Sequence, residues 1–179
     1  GSFSEQAANT FIEKSSLDSP ELIYCVNSEN VLKALEAGEI DYGIIAIENA
    51  QGGIVHESIH AIASRRCKIV DLFPILVEQN LLVLPGTSLD EIRSIHSHPQ
   101  ALRQCRCYLA QHFWGCDLVE AADTAESAKQ LCEGTLAKST AVIANRACAT
   151  LYGLELLDEN IHDLKQNYTQ FLVLTHLKG

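Results

Sequence analysis

Apolar residues in this chain gather into short runs separated by segments with helical spacing. Leu22-Ile23-Tyr24-Cys25-Val26 and Tyr42-Gly43-Ile44-Ile45-Ala46-Ile47 are brief and carry β-branched residues, which suits strands covered on both faces. Between them Ser28 can cap a helix in which Val31, Leu32 and Leu35 share one face, and Gly38 stands where that helix would end. Strand, helix, strand predicts a βαβ unit with parallel pairing and a right-handed crossover.

The same grammar returns later in the chain. Ser94-Ile95-His96 reads as a strand, and Pro99 suits the first turn of a helix running to about residue 112, with Leu102, Cys105 and Leu109 on one side. A strand at Leu118-Val119-Glu120, a helix over 124–132, a strand over 140–144 and a short helix ending at Gly153 follow. The runs over 68–77 and 81–84 are too apolar for a solvated linker and are predicted to be strands passing from one lobe to another. The final strand, from Thr169 to Thr175, can return to the first lobe. The expected architecture is therefore α/β, with two α/β lobes and a cleft between them. Residues 1–73 and 165–179 form the first lobe and 74–164 the second. Such clefts hold small ligands.

Composition narrows the class. A formal charge of −10 and a pI near 5.1 leave no basic field for a phosphate backbone, so nucleic acid is not an expected partner. No run approaches the roughly 18–20 apolar residues of a membrane span, and the start lacks a signal layout, which points to a cytoplasmic protein. Seven cysteines without a CxxC pair read as reduced core thiols. The sequence contains no Met, so Gly1 is not expected to be a translation start.

Four segments carry candidate chemistry. His56-Glu57-Ser58-Ile59-His60 matches the helical zinc pattern H-E-x-x-H but has no recognisable third ligand, and the expectation is two surface histidines and no metal. Glu48-Asn49 ends an apolar strand, where open sheets bind ligands, and Gly52-Gly53 follow in a loop whose amides could meet an anion. His96-Ser97-His98-Pro99-Gln100 places polar groups between a strand and a helix start, suited to hydrogen bonding or proton transfer, with Ser97 as a plain helix cap the alternative. Asn167-Tyr168-Thr169-Gln170-Phe171 opens the last strand, and locally Thr169 is only a good β-former. Cys105-Arg106-Cys107 has no matching ligand pair and reads as structural.

Taken in order, these segments resemble the prephenate dehydratase family along essentially the whole chain. Gly1-Ser2-Phe3-Ser4 with Ala7-Ala8, Ile47-Glu48-Asn49 with Val55, Ser97-His98-Pro99-Gln100-Ala101 with Gln104-Cys105, Asp123-Thr124-Ala125 with Ala128, and Tyr152-Gly153-Leu154 with Leu157 are similar to the family's motifs. The resemblance implies two lobes like those of type II periplasmic binding proteins. It also implies conversion of prephenate to phenylpyruvate, in phenylalanine synthesis, with loss of water and carbon dioxide and without a cofactor. By carry-over Thr169 donates the proton, while Glu48, Asn49, Ser97 and Gln100 orient substrate or the departing hydroxyl. Ser2, Gly52, Gly53, His98, Thr124, Gln170 and Phe171 are the implied substrate contacts, and a homodimer is the expected assembly. Whether prephenate or its amino analogue arogenate is preferred stays open.

The family's T-R-F reads Thr169-Gln170-Phe171 here. If the family's arginine faces substrate, its absence lowers rate or affinity by roughly ten- to hundredfold, since a hydrogen bond to a charged group contributes about 1.5–3 kcal/mol. That departure motivates two alternatives: a prephenate decarboxylase that leaves the ring non-aromatic, and a small-carboxylate binding protein with impaired catalysis. The family's opening strand, ending in G-P-x-G, is expected upstream of Gly1, and no phenylalanine-sensing ACT domain is expected within the chain.

Overall fold

The computed structural model describes residues 2–177, so the helix-opening role expected of Gly1 lies outside the described residues. Contacts divide the chain into two units: Phe3–Leu76 with the chain from Asn167 onward, and Val77–Gln166, which Ser2 joins. The crossings fall after Leu76 and Gln166, against the expected 73/74 and 164/165, and Ser2 groups with the second unit, not the first.

The first unit is a four-stranded sheet with helices on both faces. Its elements are α1 (Phe3–Ser15), α2 (Ser28–Glu36), β1 (Tyr42–Asn49), β2 (Gly53–Ile54), α3 (His56–Ala63), β3 (Cys67–Leu76) and the last strand of the chain, β9 (Tyr168–His176). The order is β2-β1-β9-β3 and every neighbouring pair is antiparallel. The expected parallel βαβ unit is therefore not formed. Leu22-Ile23-Tyr24-Cys25-Val26 is not a strand; Tyr24 and Val26 are exposed, Val26 has φ +66°, and Asn27 N–H turns back to the Cys25 carbonyl at 2.7 Å. β-branched and aromatic composition fits a pleated surface, but a strand exists only where a neighbour supplies the ladder. The cap of α2 is Asn27, whose side chain accepts from Asn30 N–H at 2.8 Å, and not Ser28.

Alternation along β9 builds two cores. Phe171 and Val173 pack with Phe73, Ile75 and the α1 residues Ala7 and Phe11, while Leu172 and Leu174 pack with Ile45, Leu32, Leu35 and Ala61 under α2 and α3. Each such large side chain contributes about 1.5–3 kcal/mol by leaving water. The close seating of α2 requires glycine at position 43, because a Cβ there would lie 2.6 Å from Val31 Cγ1.

The second unit comprises β4 (Asn80–Val83), β5 (Ser94–Ser97), α4 (Pro99–Gln104), α5 (Arg106–His112), β6 (Asp117–Glu120), α6 (Thr124–Cys132), β7 (Thr140–Ala144), α7 (Arg146–Tyr152) and β8 (Glu155–Asp158). Its sheet order is β6-β5-β7-β4-β8; β5 runs parallel to β6 and β7, and β4 antiparallel to β7 and β8. Pro99 takes the first turn of α4 as its fixed φ and missing N–H favour, but the expected single helix to about residue 112 is broken at Cys105, where φ is −111°. Gly153 ends α7 with φ +63°, a conformation that glycine adopts freely. β4 and β7 are buried throughout, with Leu81, Val83, Ala141 and Ile143 facing α4 and α5, and Leu82, Val142 and Ala144 facing α6 and α7. Among the described residues no helix is long and apolar enough to cross a membrane.

Candidate active site

Antiparallel pairing brings the last residue of β1 to the first turn of β9. A register shift between Ala46 and Glu48 sets Asn49 opposite Thr169 and Glu48 opposite Gln170. Asn49 Nδ2 donates to Thr169 Oγ1 at 2.8 Å and to Asn167 Oδ1 at 3.0 Å. Its Oδ1 accepts from the backbone N–H groups of Gly52 at 2.8 Å and Gln51 at 3.1 Å, and two backbone donors leave only one way to place the amide. All three side chains are buried. Because the Thr169 oxygen accepts from Asn49, the hydroxyl hydrogen is left to donate elsewhere, the requirement for a proton donor.

Among the described residues Asn167 Nδ2 has no acceptor. A buried donor in that condition costs about 1–3 kcal/mol. Asn167, which opens the candidate segment but was given no role of its own, belongs to this cluster.

Other expected residues of this unit fall differently. Glu48 is exposed and Gln170 half-buried; alternation places Gln170 on the face of β9 opposite Thr169, across from Glu48. The expectation of free anion-binding amides in the Gly52-Gly53 loop is corrected: Asn49 occupies the Gly52 N–H, and Gly53 pairs with Asn49 in the β1–β2 ladder. Phe171, expected to touch substrate, is 1% exposed and packs in the core under α1, since it follows Thr169 by two positions and points deeper along the same face.

In the second unit Ser97 is fully buried and its Oγ donates to the Ile143 carbonyl at 2.7 Å, tying β5 to β7. The helix cap is His98, not Ser97: His98 Nδ1 accepts from Gln100 N–H at 3.1 Å. His98 is exposed and Gln100 half-buried, so Ser97, His98 and Gln100 occupy one strand-to-helix junction with different access to solvent. Burial depresses the pKa of neighbouring His96. Thr124 is the first residue of α6, behind the cap Asp123, whose carboxylate accepts from Glu126 N–H at 2.9 Å.

Sequence reasoning gave no role to Gln79, Gln104 or His162, all buried here. Gln79 Nε2 donates to Gln104 Oε1 at 3.0 Å and Gln79 N–H to His162 Nδ1 at 3.2 Å. Among the described residues Gln79 Oε1 has no donor. The only available signal was the position of Gln104, four residues beyond the Ser97-His98-Pro99-Gln100 segment. The H-E-x-x-H segment has a structural account: Glu57 Oε1 accepts from Ser28 N–H at 3.2 Å and Ser58 Oγ meets Ser28 Oγ at 2.7 Å, so α3 braces the start of α2 while His56 and His60 face solvent.

Two α/β units, one with an all-antiparallel sheet holding a buried Asn–Thr pair and the other with a mixed sheet ending in a Ser-His-Pro-Gln helix start, define the two-lobed, periplasmic-binding-protein-like class. The family model for prephenate dehydratase matches residues 1–178, and the chain belongs to that family. It is 34% identical over 164 residues to prephenate dehydratase of Lactococcus lactis, covering 91% of this chain and 58% of the relative. It is 33% identical over 174 residues to arogenate dehydratase/prephenate dehydratase 1 of Arabidopsis thaliana, covering 97% and 42%. The crystal structure of prephenate dehydratase in complex with L-Phe from Arthrobacter aurescens superposes with a TM-score of 0.88 at 29% identity, covering all of this chain and 58% of that one. The chain thus spans about two fifths to three fifths of the length of these relatives.

Proposed function

We propose that this chain carries the catalytic machinery of a prephenate dehydratase, converting prephenate to phenylpyruvate. The observation that carries the reading is the Asn49–Thr169 hydrogen bond, which makes Thr169 Oγ1 an acceptor toward the protein and a donor toward substrate. The C–O bond to the ring hydroxyl breaks as that oxygen takes the Thr169 proton and leaves as water. The ring carboxylate departs as carbon dioxide, and its electron pair completes the aromatic ring. Solvent returns a proton to Thr169, so one proton is consumed for each water released. A threonine hydroxyl is a weak acid, and aromatisation supplies the driving force that makes it sufficient. The reading calls for no cofactor or metal; prearranged donors in a site shielded from water do the work.

Glu48, Ser97 and Gln100 orient the substrate in this proposal and Asn49 orients the Thr169 donor, with Ser2, His98 and Thr124 as further contacts. Ser97 acts there as an acceptor, its own hydrogen being held by Ile143. Gln170, which pairs across the strands with Glu48, is the ground for a second reading, a non-aromatising decarboxylase or an impaired binding protein, and product analysis separates these from the dehydratase. A homodimer in a reducing, cytoplasmic compartment completes the proposal. All seven cysteines are free, and the ten-residue β3 forms a sheet edge with Ile69, Val70 and Leu72 exposed.

Incubation with prephenate, followed by the ultraviolet absorbance of phenylpyruvate, tests the reading, with arogenate and phenylalanine detection in parallel. Product from either substrate supports a dehydratase and identifies its preference. Folded protein that forms neither product overturns it.

A further inference from the structure

Asn167 is fully buried, 118 residues distant in sequence from Asn49, and spends its oxygen on the Asn49 amide. Its nitrogen has no acceptor among the described residues. A side chain placed merely to satisfy its surroundings would not leave half its hydrogen-bonding capacity unused in a dry interior. The part of Asn167 that the structure uses is the carbonyl oxygen.

The need for that oxygen follows from the geometry of Asn49. Its Nδ2 carries two hydrogens and has two near acceptors, Thr169 Oγ1 at 2.8 Å and Asn167 Oδ1 at 3.0 Å, with the Tyr168 carbonyl a competitor at 3.4 Å. With Asn167 Oδ1 engaging one hydrogen, the other stays on Thr169, and the threonine oxygen is kept as an acceptor. Without it, the amide can tilt toward the Tyr168 carbonyl, and the Thr169 hydroxyl is released to rotate its hydrogen into the protein. We infer that Asn167 is a positioning residue, which acts through Asn49 to hold the Thr169 hydroxyl pointing outward as a donor. The inference rests on the reading of Thr169 as the proton donor.

Steady-state kinetics with prephenate on Asn167→Leu, Asn167→Asp and Asn49→Ala, alone and combined, tests it. Asn167→Leu is expected to lower kcat about tenfold or more with KM within about twofold, since substrate contacts are untouched. Asn167→Asp keeps an acceptor oxygen and should retain more kcat than the leucine variant. Because Asn167 works through Asn49, adding Asn167→Leu to Asn49→Ala should cost little more, whereas an independent structural role would multiply the two losses. If the leucine variant does not fold, Asn167→Ser, too short to reach Asn49, replaces it. Wild-type kcat in that variant, or multiplicative losses, overturns the inference.

A second readout separates this inference from the functional reading. The side-chain amide protons of Asn49, followed by nuclear magnetic resonance, should exchange slowly in wild type and in Asn167→Asp, and faster in Asn167→Leu. Should the wild-type protein turn over neither substrate, the dehydratase reading falls, and unchanged Asn49 exchange in Asn167→Leu would sink the positioning role as well.

Discussion

The two units each bury a hydroxyl at the end of a strand, and they use it in opposite ways. Ser97 in the second unit gives its hydrogen to the Ile143 carbonyl, so its oxygen can only receive. Thr169 in the first unit receives from Asn49, so its hydrogen is still to be given. Two residues of similar chemistry and burial thus acquire different competence from a single neighbour each. A buried hydroxyl is assigned a role by where its one hydrogen goes, which residue identity does not reveal.

The largest expected break of that contrast is Thr169→Ala. Removal of the donor should lower kcat by about 10²–10⁴-fold, the usual contribution of a positioned acid, while circular dichroism stays unchanged. An unaltered rate would take Thr169 out of the mechanism. Phe171→Ala, two residues along the same face, should instead cost about 3–5 kcal/mol of stability, as emptied aromatic core positions do. Chemical denaturation measures it, and a variant with native stability but impaired substrate binding would restore Phe171 as a contact.

Smaller effects sharpen the comparison. Ser97→Ala strands the buried Ile143 carbonyl and should destabilise by about 1–3 kcal/mol in denaturation, with a loss of kcat well below that of Thr169→Ala. A larger kinetic loss than the threonine variant shows would reverse the roles assigned to the two hydroxyls. Gln170→Arg should add a cross-strand pair with Glu48, contributing about 0.2–1 kcal/mol to stability and little to kcat. A tenfold rise in kcat would instead place residue 170 against substrate.

The smallest predicted difference concerns thiols. Burial, with the Asp163 carboxylate adding to it, pushes Cys105 up to about 12, so it stays protonated and unreactive through pH 9. Exposed Cys107 two residues away should alkylate with iodoacetamide under the same conditions, and mass spectrometry of the labelled peptides distinguishes them.

Much of the second unit was legible in the sequence because its elements carry local signals. Pro99 marks the start of α4, Gly153 the end of α7, and the apolar run from Thr140 to Ala144 a strand buried on both sides. β8, four residues with no alternation, carried no comparable signal. The first unit misled because its sheet is assembled from distant segments. The run from Leu22 to Val26 had strand composition without a ladder partner, while β1 pairs with residues more than a hundred positions away.

The candidate site followed the same division. Motif order pointed to Asn49 and Thr169, but their hydrogen bond crosses 120 residues and no periodicity encodes it. The role of Asn167, though it opened a candidate segment, and the presence of Gln79 were hidden for the same reason, and Phe171 was misassigned because adjacency to Thr169 says nothing about which end of a strand faces the core.

The position of β9 has a consequence for biosynthesis. This strand leaves the ribosome only after the whole second unit has followed β3, yet it lies between β1 and β3 and is the neighbour through which both join the sheet. Until it arrives, the amino-terminal helices have a sheet without its middle, and their apolar faces must wait through synthesis of the whole intervening unit. The protein should therefore mature from the inside of its sequence outward, its slowest step the insertion of a late strand into an early frame, and that interval is when chaperones have most to hold.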